Sequence, residues 1–183
     1  MEAEVLFSPT QVDKVIQSMA EEAWKLCKDE KPLLIVGIQS GGLIVARTLR
    51  EALESRGMKG MVLGSVDTTL YRDDVHRLMP EKGLLPMEIP ISVEDTAILL
   101  VDDVIFTGRS ARAAMDALFC LGRPKRIRLA VLVDRGHREL PIQPDVTGVK
   151  ILTAYGDDVK VTWTARRGKI EIIHGDRGET RET

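Results

Sequence analysis

The chain has 183 residues, of which 44% are hydrophobic and 30% are charged, a composition typical of a globular protein with a buried core. Its 26 Lys and Arg against 28 Asp and Glu leave a net charge of -2, which gives no general attraction to nucleic acid or to an anionic membrane. No apolar run approaches the roughly 20 residues that cross a bilayer, and the start lacks the pattern of a secretion signal. We therefore expect a cytoplasmic domain, with Cys27 and Cys120 as reduced core residues of helices.

Helical and strand patterns alternate through the first part of the chain. Ser8 and Pro9 provide a capping hydroxyl and a proline at the first helical position. Apolar residues at helical spacing then continue that helix to about Lys28. The next predicted elements are a strand buried on both faces over 33–38, a glycine turn over 39–42, a helix from 43 to about 57 and a strand over 61–67.

The remaining segments predict a flap, further strands and one more helix. A polar stretch over 71–88 is longer than usual connections and predicts a flexible flap. After it come a strand over 96–101, a helix over 107–121 and a strand over 126–133, followed by short strands over 159–164 and 170–174. This order favours a parallel sheet with helices on both faces, in which ligands bind at the carboxyl ends of the strands.

The clearest chemical pattern runs from Ile98 to Ser110. A buried strand leads into Asp102 and Asp103, and Thr107 with Gly108 opens the following helix. Paired carboxylates accept hydrogen bonds from ribose hydroxyls and stabilise positive charge on the anomeric carbon, while N–H groups at a helix start bind phosphate. The segment therefore predicts a sugar-phosphate site, the alternative being an ordinary turn capped by acidic residues.

This segment resembles the signature of type I phosphoribosyltransferases, which bind 5-phosphoribosyl 1-pyrophosphate (PRPP). Two more segments, Thr69 to Asp74 and Val133 to Ile142, are similar to the PyrR family of bifunctional pyrimidine operon attenuators and uracil phosphoribosyltransferases. The resemblance spans about residues 10–163. It implies an α/β fold with a mostly parallel twisted sheet flanked by helices, and a small hood and flap. We expect one domain over 1–164, followed by a hairpin strand and frayed tail over 165–183.

The resemblance also implies a role for each matching residue. Asp102 and Asp103 would bind the ribose hydroxyls, and Arg72 on the flap would close over pyrophosphate; these are the implied catalytic residues. Taken alone, Arg72 would be an ordinary solvated ion pair. The implied PRPP-binding residues are Ser40, Gly41 and Gly42 facing pyrophosphate, and Val104, Ile105, Phe106, Thr107, Gly108, Arg109 and Ser110 around the 5-phosphate. The residues implied to border the base are Val133, Asp134 and Arg138.

The implied reaction joins uracil to PRPP and yields UMP and pyrophosphate. Mg2+ would enter with PRPP, and no His, Cys or Asp cluster predicts a dedicated metal site. A homodimer or larger homo-oligomer is implied as well. Two alternatives stay open: transfer to a purine such as hypoxanthine or guanine, and a non-catalytic sensor of UMP or PRPP that binds RNA.

Two departures from the family bear on these functions. PyrR members carry Thr-Arg-Gly where this chain has Ser40-Gly41-Gly42, so backbone N–H groups would have to bind the anion. The other departure is in the RNA-binding positions, where the first helix reads Gln17 to Glu22 and a later arginine is replaced by Gln143. Eight Lys and Arg against two acids over 109–138 (about +6) could form a basic patch. We expect these basic side chains to make structural contacts or to contact the ligand instead. Pyrimidine-operon leader RNA is therefore the less favoured partner.

Overall fold

The computed structural model describes residues 3–68, 87–164 and 167–174, which form three helices and nine strands. In chain order these elements are β1 (Ala3–Phe7), α1 (Pro9–Cys27), β2 (Leu33–Ile38), α2 (Gly41–Ser55), β3 (Met61–Val66), β4 (Met87–Glu88), β5 (Ala97–Ile105), α3 (Arg109–Phe119), β6 (Arg126–Asp134), β7 (Val146–Lys150), β8 (Asp158–Thr164) and β9 (Arg167–Ile173). None of the helices in these ranges combines the length and the hydropathy needed to cross a bilayer.

The main sheet has six strands in the order β4-β3-β2-β5-β6-β7. Strands β3, β2, β5, β6 and β7 run parallel, and only the short edge strand β4 is antiparallel to its neighbour. The mostly parallel sheet predicted from the sequence is therefore confirmed. Its parallel strands end along one edge, where the predicted ligand-binding segments follow.

Helices cover both faces of the main sheet. On one face α1 and α2 pack against Leu33 and Ile35 of β2, and on the other α3 packs against Leu34 and Val36. All six residues of β2 are buried because successive side chains point to opposite, covered faces. This explains why its sequence is an unbroken apolar run.

A second, antiparallel sheet forms the hood, with strands in the order β1-β9-β8. Ile170 and Ile172 of β9 are buried with Val159 of β8 in the core shared with α1 and α2. Strand β8 also lies against β5 of the main sheet. The hood is therefore built from both ends of the described chain.

The structure differs from the sequence predictions at several places. Strand β5 continues through the acidic pair to Ile105, because its backbone keeps pairing with β6. Strands β1 and β7 were not predicted, and the helix expected from 43 already begins at Gly41. Cys27 is buried as predicted, but the expectation for Cys120 was wrong: it is exposed, since it follows the last turn of α3. Most of the predicted flap, 71–86, lies outside the described residues.

Candidate active site

A cleft of about 670 Å³ lies at the carboxyl edge of the main sheet. Its walls come from the turn between β2 and α2, the end of β5 with the turn into α3, and strand β8 of the hood. Among the predicted site residues, those that line the cleft are Ser40, Gly41, Asp102, Asp103, Val104, Ile105, Phe106, Thr107, Gly108, Arg109 and Ser110. Segments far apart in sequence thus meet at the edge where parallel strands end.

The two carboxylates of the predicted pair are fixed by the backbone that carries them. Asp102 Oδ1 accepts the N–H of Asp103 at 3.0 Å, and Asp103 Oδ1 accepts the N–H of Val104 at 3.0 Å. Asp102 is 7% exposed although it lines the cleft. Rigid carboxylate oxygens at this place suit ribose hydroxyls, and they are also the oxygen ligands that Mg2+ accepts.

The turn after β2 approaches the acidic pair closely. A Cβ atom added at Gly41 would collide with Asp103 Oδ2, and one at Gly42 would lie 2.6 Å from the carbonyl oxygen of Val101. The Gln39 N–H donates to the carbonyl of Val66 at 2.8 Å, and the Gln39–Ser40 peptide is cis. Gly42 is thus required by its close approach to the β5 backbone and packs behind the cleft rather than in its lining, whereas a side chain at Gly41 would displace the Asp103 carboxylate.

The segment predicted to bind the 5-phosphate, residues 104–110 and called the phosphate turn below, leads directly into α3. Gly108 precedes the helix with φ +93, a left-handed conformation that favours glycine. Thr107 Oγ1 accepts the N–H of Arg109 at 3.4 Å, and the carbonyl of Thr107 accepts the N–H groups of Glu139 and Leu140 at 3.0 and 3.1 Å. The start of α3 therefore presents backbone N–H groups and the positive end of the helix dipole to the cleft.

An aromatic group closes the side of the cleft next to the phosphate turn. The Arg135 guanidinium lies 4.1 Å from the centre of the Phe106 ring, and the Tyr155 ring centre is 5.3 Å from that of Phe106. His137 lies next to this wall but outside the cleft lining, with its ring centre 5.7 Å from that of Tyr155. Burial lowers the pKa of Arg135 from its ordinary value. This wall offers ring surface and one buried cation.

The residues implied to border the base lie beneath the cleft lining. Val133 is fully buried, and Asp134 forms an ion pair with Arg138 at 2.8 Å. Arg138 also donates to the carbonyls of Phe106 and Ile142 at 2.9 and 3.0 Å, so it supports the phosphate turn from behind. From this segment Arg135 and Glu139 reach the lining instead. Arg72 lies outside the described residues.

Sequence reasoning missed a set of lining residues on the hood side. These are Glu139, Tyr155 and the β8 residues Asp158, Lys160 and Thr162, while Arg135 lies within the segment from Val133 to Arg138 that the resemblance places at the base. Glu139 follows the carboxyl end of β6, so the sheet rule could have pointed to it. The others had no sequence signal, because hood packing alone brings them to the cleft.

The described residues hold no group of three or more His, Cys, Asp or Glu side chains arranged for a metal ion. Asp102 and Asp103 supply carboxylate oxygens on one wall of the cleft. Such a pair suits a Mg2+ ion that arrives with most of its ligands supplied by a diphosphate and water.

The comparisons with known proteins agree with this architecture. The sequence matches the phosphoribosyl transferase domain over residues 8–165. A hypoxanthine-guanine phosphoribosyltransferase from Bacillus anthracis superposes with a TM-score of 0.67 at 16% identity, covering 82% of this chain and 86% of that one. The fold and the match thus define a type I phosphoribosyltransferase domain.

Closer relatives narrow the class. The bifunctional protein PyrR of Latilactobacillus sakei is 44% identical over 163 residues, covering 88% of this chain and 90% of that protein. The PyrR protein of Corynebacterium glutamicum is 43% identical over 159 residues, covering 86% of this chain and 82% of that protein. The chain belongs to the PyrR family of phosphoribosyltransferases, as its sequence motifs predicted.

Proposed function

We propose that this protein transfers the 5-phosphoribosyl group of PRPP to N1 of uracil, forming UMP and releasing pyrophosphate. The observation that carries this proposal is the single cleft that combines Asp102 and Asp103, the start of α3 and the glycine turn after β2. These parts suit the ribose, the 5-phosphate and the diphosphate of one PRPP molecule. Membership of the PyrR family favours uracil as the acceptor.

The chemistry follows from where charge develops. As the bond between C1 of the ribose and the pyrophosphate oxygen breaks, positive charge grows on the sugar, and the carboxylates of Asp102 and Asp103 stabilise it. N1 of uracil forms the new bond to C1 and releases its proton to solvent. Thr107, Ser110 and the N–H groups at the start of α3 hold the 5-phosphate, which fixes the sugar between the leaving group and the base.

Charge on the leaving group is balanced from several sides. Mg2+ carried by PRPP would neutralise negative charge on the diphosphate. The carboxylate oxygens of Asp102 and Asp103 are the protein groups that would serve as its ligands. The turn of Ser40 and Gly41 lines the cleft and has no cationic side chain, so its backbone N–H groups would have to bind the pyrophosphate. Arg72 would add a cation from the flap and exclude water when the site is loaded.

The base side of the cleft is supported indirectly. The ion pair of Asp134 with Arg138, together with buried Val133, fixes the segment that carries Arg135 and Glu139. Uracil would therefore lie against the wall of Phe106 and Tyr155, and the three residues implied for the base would shape that wall from behind.

The test is a coupled assay of the purified protein with PRPP and Mg2+, run in parallel with uracil, hypoxanthine, guanine and xanthine. UMP formed from uracil alone is the expected result, and it would show that the Ser40-Gly41-Gly42 turn suffices for pyrophosphate. Product from a purine would contradict the assignment of the base. No product from any base, with UMP still bound, would favour the sensor over the enzyme.

We also propose that the protein forms a homodimer or a larger homo-oligomer. Light scattering on the protein as it elutes from a size-exclusion column would measure the mass of the assembly.

A second role, in regulating pyrimidine genes through leader RNA, is favoured by one observation. The relatives from Latilactobacillus sakei and Corynebacterium glutamicum both bear the name bifunctional protein PyrR. The charge distribution of this chain weighs against extensive phosphate contacts, because most basic side chains of 109–138 have carboxylate partners. These are the pairs of Arg109 with Glu139, Arg112 with Asp116, Lys125 and Arg126 with Glu30, Arg128 with Asp145, and Arg138 with Asp134.

A further inference from the structure

Glu139 uses both oxygens of its carboxylate to join two walls of the cleft. Its Oε2 accepts hydrogen bonds from Nε and Nη2 of Arg109, at 3.0 and 2.8 Å. Its Oε1 accepts the phenol O–H of Tyr155 at 2.8 Å. All three side chains belong to residues that line the cleft. One carboxylate thus connects the first residue of α3 to the roof loop, residues 151–157 between β7 and β8.

The backbone around Glu139 is fixed to the phosphate turn. The N–H groups of Glu139 and of Leu140 both donate to the carbonyl of Thr107. The Glu139 carboxylate is therefore held beside the N-terminus of α3, and its hydrogen bonds to Arg109 orient the guanidinium of that residue. Arg109 is the cationic side chain of the phosphate turn, so its direction matters for an anion bound there.

The roof loop is ordered from its other side. Arg135 Nη2 donates to the carbonyls of Ala154 and Tyr155 at 3.2 and 3.3 Å, and Asp157 Oδ2 accepts the N–H of Ala154 at 2.7 Å. The Tyr155 ring packs against the Phe106 ring, although Tyr155 as a whole is 61% exposed. With the loop backbone and the ring placed in this way, the phenol O–H reaches Glu139.

The electrostatics keep this link charged. Hydrogen bonds from Tyr155 and from Arg109 hold the pKa of Glu139 below its ordinary value, so the carboxylate is ionised at neutral pH. The side chains of Arg109 and Glu139 are 43% and 36% exposed, and ion pairs this exposed contribute little to folding stability. The consequence of the link is therefore local: it orients groups around the cleft without holding the fold together.

We propose that Glu139 is a positioning residue that couples the phosphate turn to the roof loop, through Arg109 on one side and Tyr155 on the other. The proposal rests on the proposed function for its kinetic consequences. Loss of the link would leave Asp102 and Asp103 in place, so the chemical step would continue while PRPP would bind more weakly. An effect on binding alone is what separates a positioning residue from one that stabilises the transition state.

The test compares Glu139→Ala, Tyr155→Phe and the double variant with the intact protein. Glu139→Ala should raise the KM for PRPP about tenfold, the effect of losing charge-assisted hydrogen bonds, with kcat within about twofold. Tyr155→Phe should raise the KM for PRPP by a smaller factor. The double variant should be no worse than Glu139→Ala, because both changes break the same link. Glu21→Ala is the matched control: Glu21 forms an exposed ion pair with Lys25 at 2.7 Å on α1, and this variant should leave both constants unchanged.

A second measurement does not depend on turnover. Hydrogen–deuterium exchange of segments 107–112 and 151–157 should be faster in Glu139→Ala than in Glu21→Ala, in both segments together. Unchanged exchange, a lowered kcat at constant KM, or additive effects in the double variant would each overturn the coupling. If the intact protein makes no UMP but the exchange changes as expected, the link stands and the proposed function fails.

Discussion

Asp102 and Asp103 are the residues on which the proposed chemistry depends most directly. Replacing both with Asn preserves their size and removes the negative charge that stabilises a cationic transition state. We expect UMP formation to fall at least about 100-fold, because electrostatic contributions of this kind are large in a closed site. Initial rates would measure the loss, and thermal unfolding followed by circular dichroism would confirm that the fold persists.

A matched control for the acidic pair lies on α3. Asp116 pairs with Arg112 at 3.2 Å on the exposed face of that helix, and its side chain is 59% exposed. Asp116→Asn makes the same chemical change outside the cleft and should keep full activity. Full activity in the variant lacking both Asp102 and Asp103 charges would show that the catalytic site has been assigned wrongly.

Gly41 gives a second prediction for a single residue. The added Cβ of Gly41→Ala would meet the Asp103 carboxylate, which has to rotate away from the turn after β2. We expect kcat/KM to fall about tenfold or more, as for other displaced catalytic groups, with little change in stability. For the same reason, Gly41→Arg would not place a cation in this turn without moving Asp103.

Steady-state kinetics on Gly41→Ala, with Glu21→Ala as its control, would check this prediction. Glu21 lies on the exposed face of α1 and does not line the cleft. Equal activity in the two variants would mean that the position of Asp103 next to the turn is unimportant for turnover.

Among the secondary-structure elements, β5 is central both to the core and to the site. Leu99 is fully buried in the layer against α1 and α2, and the same strand carries the acidic pair three residues later. Leu99→Ala should lower the free energy of unfolding by about 2–5 kcal/mol, since the cavity is enclosed on all sides. Urea denaturation would measure this loss. Leu152→Ala, at a fully exposed position, should change it by less than about 0.5 kcal/mol.

Elements with an unambiguous apolar pattern could be predicted from the sequence. Strand β2 was predicted to the residue, because burial on both faces requires an unbroken apolar run. The end of β5 was missed, since two carboxylates resemble the start of a loop while the pairing with β6 continues through them. Strand β7 was missed because Thr147 and Gly148 interrupt its apolar residues.

The same contrast holds for the candidate site. The phosphate turn could be predicted because its groups are consecutive in sequence and their chemistry is local. The link from Glu139 to Arg109 and to Tyr155 could not, because its hydrogen bonds join residues that are 30 and 16 positions apart in sequence. Tertiary packing of the hood, which leaves no sequence pattern, determines that half of the cleft.

For the whole molecule, the distribution of charge decides how nucleic acid would meet the surface. Lys125 and Arg126 at the start of β6 are about half exposed, with side-chain exposures of 53% and 49%. Both contact Glu30, at 2.6 and 3.4 Å, and the hydrogen bond from Lys125 holds the pKa of Glu30 below its ordinary value. The Glu30 carboxylate therefore stays charged at neutral pH and competes with any phosphate for these two cations.

Glu30→Gln would release Lys125 and Arg126 and should strengthen binding to leader RNA. Two additional phosphate contacts would steepen the slope of log K against log salt by about one to two, measured by filter binding between about 50 and 200 mM KCl. Glu4→Gln changes the net charge equally on β1 of the hood, at a side chain that is 64% exposed and lies outside the Gln17–Glu22 stretch, and is the control. Equal RNA affinities in Glu30→Gln and in the control variant would mean that only the net charge of the protein changes RNA binding. Tight, steeply salt-dependent binding by the unaltered protein would instead show that phosphates displace Glu30, and that these cations already serve an RNA surface.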